Sequence, residues 1–445
     1  AFQAMAAAEP LFEPALRTWY SGEATHYWRD AAGRFEQVAS SRGFDQGCPL
    51  AAAAFSVGQK KALDNYLLHL QQLDPQARLY SYLDDTYIVV KKALAAVAIA
   101  GLTEAFAPLG LELHPTKTLV WSPSGSTGLP REVLPHWTDK LPVLGKHLKT
   151  SGDTDDAPAY LNDGGETLEE TTARLKKLWD ALRPLLDAGL KRQAAASLLT
   201  SYAGAASQHA LQLSLCSEQE AKTYDDTLKA AWETLAGRQL DDTAALRLGL
   251  PTKLGGAGVQ WATTRRCAAY WAGWTALATE VRKDAGHETL ADLLSALPRT
   301  AAELERARHG LAAQSVPVSE GAALPDALDR HWKQRLYVTA AQKNAHAALQ
   351  QQLQQQHGAP AKASQHAAGG PGAGGFLAYP EDPNCTMEDA HWSTALRQRL
   401  GLHRAEYSQQ ELLTARETCS RSTAAGETCG HPLDTGAARS NLFRR

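Results

Sequence analysis

The chain has 445 residues, enough for two or three domains that each bury a core of their own. Its net charge of −3 argues against a uniformly basic nucleic-acid binder and leaves any phosphate-binding role to local clusters of Lys and Arg. Six cysteines, scattered at 48, 216, 267, 385, 419 and 429, do not form a disulfide framework, and no uninterrupted apolar run reaches the roughly 20 residues of a membrane span. An intracellular, reducing location is therefore expected, and Ala1 in place of an initiator Met suggests a chain that begins inside a longer one.

Residues 9 to 20, EPLFEPALRTWY, predict a short helix, and 25 to 40 predict a hairpin in which THYWRD and FEQVAS join around Gly33. Pro49 opens an Ala- and Leu-rich helix to about Leu73, because the first helical turn has no amide partner to lose. The stretch RLYSYLDDTYIVV, 78 to 90, reads as a second hairpin, followed by a helix from about Ala93 to Leu109 and a strand, LELHPTKTLVW, over 111 to 121. That order predicts an α+β domain with a mostly antiparallel sheet packed by helices. Beyond residue 150 helices take over, and Thr167 with Glu170 and Ser217 with Glu220 each fit a capping box. Helical periodicity runs, with interruptions, to a Gln-rich tract at 350 to 356. The Gly/Ala/Pro stretch 358 to 375 reads as a flexible linker, and the residues after it as a small Cys-containing tail whose fold the sequence does not give.

Asp84 and Asp85 raise the chemical question. Two adjacent carboxylates held at a tight turn repel each other unless a cation sits beside them. A hard divalent ion answers this, since Mg²⁺ is held by one or two carboxylates and fills its other positions with water and phosphate oxygens. A polar turn without function is the plainer reading of the dipeptide taken alone. Its neighbours change the balance. Upstream, Gly43, Gln46, Gly47, Cys48, Pro49 and Leu50 form Gly-x-x-Gln-Gly-Cys-Pro-Leu ahead of a helix; downstream stand Gly110-Leu111-x-Leu113-x-x-x-Lys117-Thr118 and Val143-Leu144-Gly145. In this order and spacing the blocks resemble the palm of reverse transcriptases, most closely those of LINE-type (non-LTR) retrotransposons. The resemblance is specific over 1 to about 150 and weaker to about 260, where Leu250-Pro251-x-x-Leu254-Gly255-Gly256-x-Gly258 resembles a segment that follows the thumb in those elements.

The resemblance implies an RNA-directed DNA polymerase that uses two Mg²⁺ ions, deoxynucleoside triphosphates, an RNA template and a DNA primer, with no membrane partner and a nuclear location. It implies that Asp84 and Asp85 are the catalytic metal carboxylates, with Lys117 acting on pyrophosphate. Phe2, Gln46, Gly47 and Tyr82 would line the nucleotide, template and primer site, and Leu144 and Gly145 would grip the primer. Ala1-Phe2 resembles the close of the first palm motif, whose Asp would lie four residues before Ala1; without it, little or no polymerase activity is expected of these 445 residues. Ala51-Ala52 replace the usual Ser-Pro and His114 a common Asn, changes of small size and adequate helix propensity. The organisation implied is a palm with part of the fingers over 1–150, a helical thumb over 151–240, a further helical region over 241–357, the linker over 358–375 and the tail over 376–445.

In the thumb region Arg174, Lys177 and Lys191 are candidate contacts to the nucleic-acid backbone, within a basic group that includes Lys176, Arg183 and Arg192; Arg265 and Arg266 form another. A solvated helix face is the ordinary reading of such charges. Near the end, Cys419, Cys429 and His431 supply three potential zinc ligands, but their spacing is not that of a tight knuckle and no fourth ligand follows, so zinc is not expected. Two rival readings stand beside the polymerase: a decayed or domesticated palm that binds RNA or DNA without catalysis, and a phosphohydrolase, for which no supporting His or further carboxylate motif is present.

Overall fold

The computed structural model describes residues 10–20, 24–30, 32–40, 50–143, 146–149, 168–316, 322–328, 333–370, 372–380 and 385–402, with the single positions 7, 22, 318 and 382. It is an α+β fold, mostly helical, with small antiparallel sheets. The chain divides into two units, Ala1–Gly165 and Glu166–Arg445.

In the first unit, α1 (Glu13–Tyr20) precedes a hairpin of β1 (Ala24–Arg29) and β2 (Phe35–Ser40). Gly33, at φ 81°, supplies the left-handed residue of its turn, and Asp30 accepts the Arg34 amide at 2.8 Å. The next helix, α2 (Ala51–Leu73), buries Ala54, Gln59, Leu63, Tyr66 and Leu70, positions that fall on one helical stripe. It stops at Asp74, which precedes Pro75 and takes the extended backbone that a following proline favours. A second hairpin, β3 (Arg78–Tyr82) and β4 (Asp85–Val89), lies against this helix, and α3 (Ala95–Phe106) packs on α2 through Ala98, Leu102 and Phe106. Leu79 and Ile88 close that core from the hairpin side. The Tyr66 hydroxyl donates to the Ala98 carbonyl at 2.7 Å, and burial pushes its pKa up to about 12. Beside this contact α2 and α3 diverge into an apolar cleft of about 830 Å³, lined in part by Lys61, Asn65, His69, Val97 and Glu104. A third hairpin joins β5 (Lys140–Val143) to β6 (Lys146–Lys149).

Two expectations for this unit need correcting. Residues 111 to 121 form no strand: Pro115 has no amide to offer a ladder, the chain turns so that the Lys117 and Thr118 amides both donate to the His114 carbonyl, and pairing is reduced to a single bridge between Val120 and Trp137. The strands accordingly form three separate two-stranded sheets and not one larger sheet. Lys92–Leu109 is also an 18-residue segment, of mean hydropathy 1.4, that by length and composition alone is apolar enough to cross a membrane; 22 % of it is buried. It opens on Lys92, is interrupted by Glu104 and stays short of an uninterrupted run of roughly 20 residues, and one of its faces packs on α2 while another lines the cleft.

The described residues of the second unit form helices joined by loops, with no strand among them. In chain order it contains α4 (Leu168–Asp187), α5 (Arg192–Leu213), α6 (Glu218–Ala236), α7 (Asp242–Gly249) and α8 (Ala262–Asp284). These are followed by α9 (Leu290–Ala296), α10 (Pro298–Ala313), α11 (Leu324–Leu328), α12 (Gln334–Ala367) and α13 (Asp389–Leu400). The Ser217/Glu220 capping box at the start of α6 is present, with both reciprocal bonds made; Thr167, the start of the other expected box, lies outside the described residues. Helix α8 is the hub, touching α5, α6, α10 and α12. One core gathers Leu175, Trp179, Leu199, Tyr224, Trp232 and Trp392, and another gathers Tyr270, Trp271, Leu304, Leu311 and Tyr337.

Residues 358 to 375 are not a linker. Helix α12 continues to Ala367, as its Ala-rich sequence permits, and beyond it the carbonyls of Ala368 and Ala373 accept bonds from Arg399 at 3.0 and 2.7 Å. Nor does the tail begin as a separate body at 376, because Trp392, Leu396, Leu400 and Leu402 enter the same core as α4 to α7 and the Trp392 ring stacks on Trp232 at 6.4 Å. Among the described residues Cys216, Cys267 and Cys385 are free thiols.

Candidate active site

The β3–β4 register pairs Tyr82 with Asp85, so Leu83 and Asp84 are the two residues of the turn. Leu83 has φ 57°, a left-handed conformation that costs a non-glycine residue roughly 1 to 2 kcal/mol. A positive φ at the first turn residue and not at the second is the sign pattern of a type II′ turn, which suits the twist of a hairpin. Alternation along the strands then sorts the side chains. Leu79, Ser81, Thr86 and Ile88 share the face that meets α2, and Tyr80, Tyr82, Asp85 and Tyr87 share the other. Tyr80 is 47 % and Tyr82 62 % exposed, and both Asp84 and Asp85 are exposed at the tip. The Tyr87 hydroxyl approaches Asp85 Oδ2 at 3.4 Å, long for a hydrogen bond.

Helix α2 holds the hairpin at both ends. At the base, the Asp74 carboxylate, itself only 2 % exposed, accepts the Lys91 amide at 3.0 Å and the Gln76 amide at 3.2 Å, with the Lys91 ammonium 3.5 Å away. Burial works against the charge of Asp74, but these two amides and the ammonium outweigh it, and its pKa is held below the ordinary carboxylate value. At the tip, Gln59 Nε2 donates to the Leu83 carbonyl at 2.8 Å and to Ser81 Oγ at 3.1 Å. Sequence reading passed over both Gln59 and Asp74. The available signal was a glutamine within the apolar stripe of α2, in step with Leu63, Tyr66 and Leu70.

The donor set at the tip suits a hard divalent ion: two adjacent carboxylates, open to solvent, with space for water or phosphate oxygens in the remaining positions. Among the described residues no group of three or more His, Cys, Asp or Glu side chains is placed to hold a metal ion. Of the other residues singled out from sequence, Tyr82 stands with Asp84 and Asp85 on the hairpin, while Lys117 is exposed on the turn after His114. Phe2, Gln46, Gly47, Leu144, Gly145, Cys419, Cys429 and His431 lie outside the described residues.

In the second unit the candidate backbone contacts are on helix surfaces. Arg174 pairs with Glu170 at 3.3 Å, Lys191 pairs with Glu388 at 3.2 Å, and Lys177 is exposed. Pairs this open to solvent contribute at most about 1 kcal/mol, so a phosphate could replace the carboxylate at little cost. Arg192, Arg265 and Arg266 serve the fold instead. Arg192 donates to the Leu235 carbonyl and Ser393 Oγ, buried Arg265 to Gly204, Ser207 and Gln208, and Arg266 to the Cys216 carbonyl. Compared with protein-family models, curated proteins and solved structures, the chain matches none.

Proposed function

We propose that the first unit is a polymerase palm of the reverse-transcriptase kind, that helices α4 to α6 act as its thumb, and that the chemistry served is RNA-directed DNA synthesis. The observation that carries this reading is the β3–β4 tip: adjacent exposed carboxylates, Asp84 in the two-residue turn and Asp85 at the start of β4, beside a hairpin face bearing three tyrosines, with the opposite face anchored to a long helix. Asp84 and Asp85 would hold Mg²⁺, which when bound would lower the barrier to attack by a primer 3′-hydroxyl and neutralise the leaving pyrophosphate. The rest falls to the chain itself. Tyr82, exposed next to the turn, offers a ring for the terminal base pair to rest on, and Arg174, Lys177 and Lys191 offer cations to the duplex backbone.

The test is ion uptake in the presence of an RNA template, a DNA primer and a deoxynucleoside triphosphate, followed by the resonance of Mn²⁺. The chain should bind Mn²⁺, Asp84→Asn and Asp85→Asn should each weaken that binding at least about tenfold, and template–primer affinity should stay within about twofold. Equal Mn²⁺ binding by both variants would remove the reading. Firm template–primer binding with no ion uptake would favour a palm that holds nucleic acid without catalysis. Where an Asp-bearing first motif is supplied ahead of Ala1, Asp84→Asn should abolish primer extension.

A further inference from the structure

We infer that Gln59 is a positioning residue for the Asp84–Asp85 pair: through one hydrogen bond it selects the turn geometry that makes these carboxylates usable. The consequence for metal binding rests on the function proposed above; the consequence for the turn does not. Gln59 is 4 % exposed and lies on the stripe of α2 that otherwise buries Leu63, Tyr66 and Leu70. An amide buried there without partners would be costly, and its partners are both on the hairpin, Ser81 Oγ and the Leu83 carbonyl.

The Leu83 carbonyl belongs to the peptide group that joins Leu83 to Asp84. Pinning that oxygen toward α2 fixes the plane of the peptide, and with it the direction in which the chain delivers the Asp84 side chain. A type II turn, with negative φ at Leu83 and positive φ at Asp84, carries this carbonyl on the opposite side of the turn, away from Gln59. Leucine would ordinarily prefer that turn, because φ 57° suits glycine far better. The bond from Gln59 opposes the preference. Asp74 meanwhile holds the base of the hairpin through the Lys91 amide, so the hairpin cannot pivot to follow its tip.

The test uses the full chain and Tb³⁺, whose luminescence is sensitised by nearby tyrosines such as Tyr82. Gln59→Met keeps size and helix propensity but donates no hydrogen bond. It should weaken Tb³⁺ binding about tenfold, the factor expected from one buried hydrogen bond, and shift the backbone amide resonances of residues 81 to 85. Adding Leu83→Gly, which relaxes the strained φ, should restore Tb³⁺ affinity to within about threefold of the unaltered chain. A merely structural role would not be rescued at position 83. Unchanged Tb³⁺ affinity and unchanged amide resonances in Gln59→Met would overturn the inference, as would a double variant no better than the single one. If the single variant does not fold, the side-chain amide protons of Gln59 in the unaltered chain decide: slow exchange with solvent supports the bond to Leu83, and exchange as fast as that of an exposed glutamine refutes it. Should Asp84→Asn leave Tb³⁺ binding untouched, the proposed polymerase site falls while the amide resonances still judge Gln59.

Discussion

At the scale of single residues, Asp225 shows how a buried charge ties two helices together. Helix α8 begins at Trp261, which offers no capping side chain, so its first amides look to α6 for partners. Asp225 supplies them: Oδ1 accepts the Ala262 amide at 2.6 Å, and Oδ2 accepts the Thr263 amide at 3.0 Å and the Thr263 hydroxyl at 2.6 Å. Burial raises its pKa from 3.8 to about 6, overriding the opposing effect of those bonds. A folded-state pKa above the unfolded value means that the contribution of this group to stability is complete below about pH 4 and is lost as pH rises through about 6. The loss is on the order of 3 kcal/mol, from about 1.4 kcal/mol per pKa unit. Asp225→Asn cannot titrate. Its stability in urea should therefore approach that of the unaltered chain as pH is raised from 4 to 7, whereas a gap widening over that interval would show that the amides of α8 outweigh desolvation.

At the scale of elements, the segment LPTKLGGAG owes its composition to packing. Gly255 takes φ 83°, and a Cβ on Gly256 would overlap the carbonyl oxygens of Leu250 and Arg247. Buried Arg399 of α13 donates to the Thr252 and Gly256 carbonyls on that loop at 2.7 Å each, and to Ala368 and Ala373 on the other side, joining three stretches distant in sequence. Arg399→Met would leave four carbonyls without this partner and should destabilise the second unit by about 3 to 5 kcal/mol in urea unfolding; Arg399→Lys, a point charge without the planar fork, should recover less than half of that. An equal effect of the two would mean that charge and not geometry matters. This loop also marks how far the sequence could be read. Helical periods, Gly33, the paired aspartates and the Ser217 box were local signals, and the helices and hairpins they announce are present. The alternation of LELHPTKTLVW pointed to a strand, but Pro115 and the turn at His114 outweigh it. The glycines after Ala367 looked like a linker because the guanidinium they surround comes some 30 residues later. Likewise the carboxylates at the hairpin tip were legible as a motif, while Gln59, whose partners stand 22 and 24 residues away, was not.

At the scale of the whole molecule, the described residues of the two units differ in how much apolar surface they bury together. The core of the first unit described here rests on α2, α3 and one hairpin, with Leu63, Tyr66, Leu70, Leu102 and Phe106 as its principal members. Its β1–β2 hairpin leaves Tyr27, Trp28 and Phe35 more than half exposed. The described residues of the second unit bury larger cores that include Trp232, Trp271 and Trp392 at 1 % exposure or less. Burial stabilises by roughly 25 cal/mol per Å², so the unit whose described residues form the smaller core is expected to have less to set against its chain entropy. Unfolding should then proceed in two steps rather than one. In hydrogen exchange followed by mass spectrometry on a temperature ramp, peptides from 51–106 should lose protection first, and those from 218–236 and 262–284 last. The order also bears on the proposed chemistry, because the turn carrying Asp84 and Asp85 sits in the unit expected to open first. A bound template–primer that also engaged Mg²⁺ at that turn would raise the protection of 78–90 in proportion to its occupancy, and Asp84→Asn should remove the part of that gain that depends on the ion while leaving the protection of α6 and α8 unchanged. Loss of protection at the same temperature in both units would instead mean that they unfold as one cooperative body.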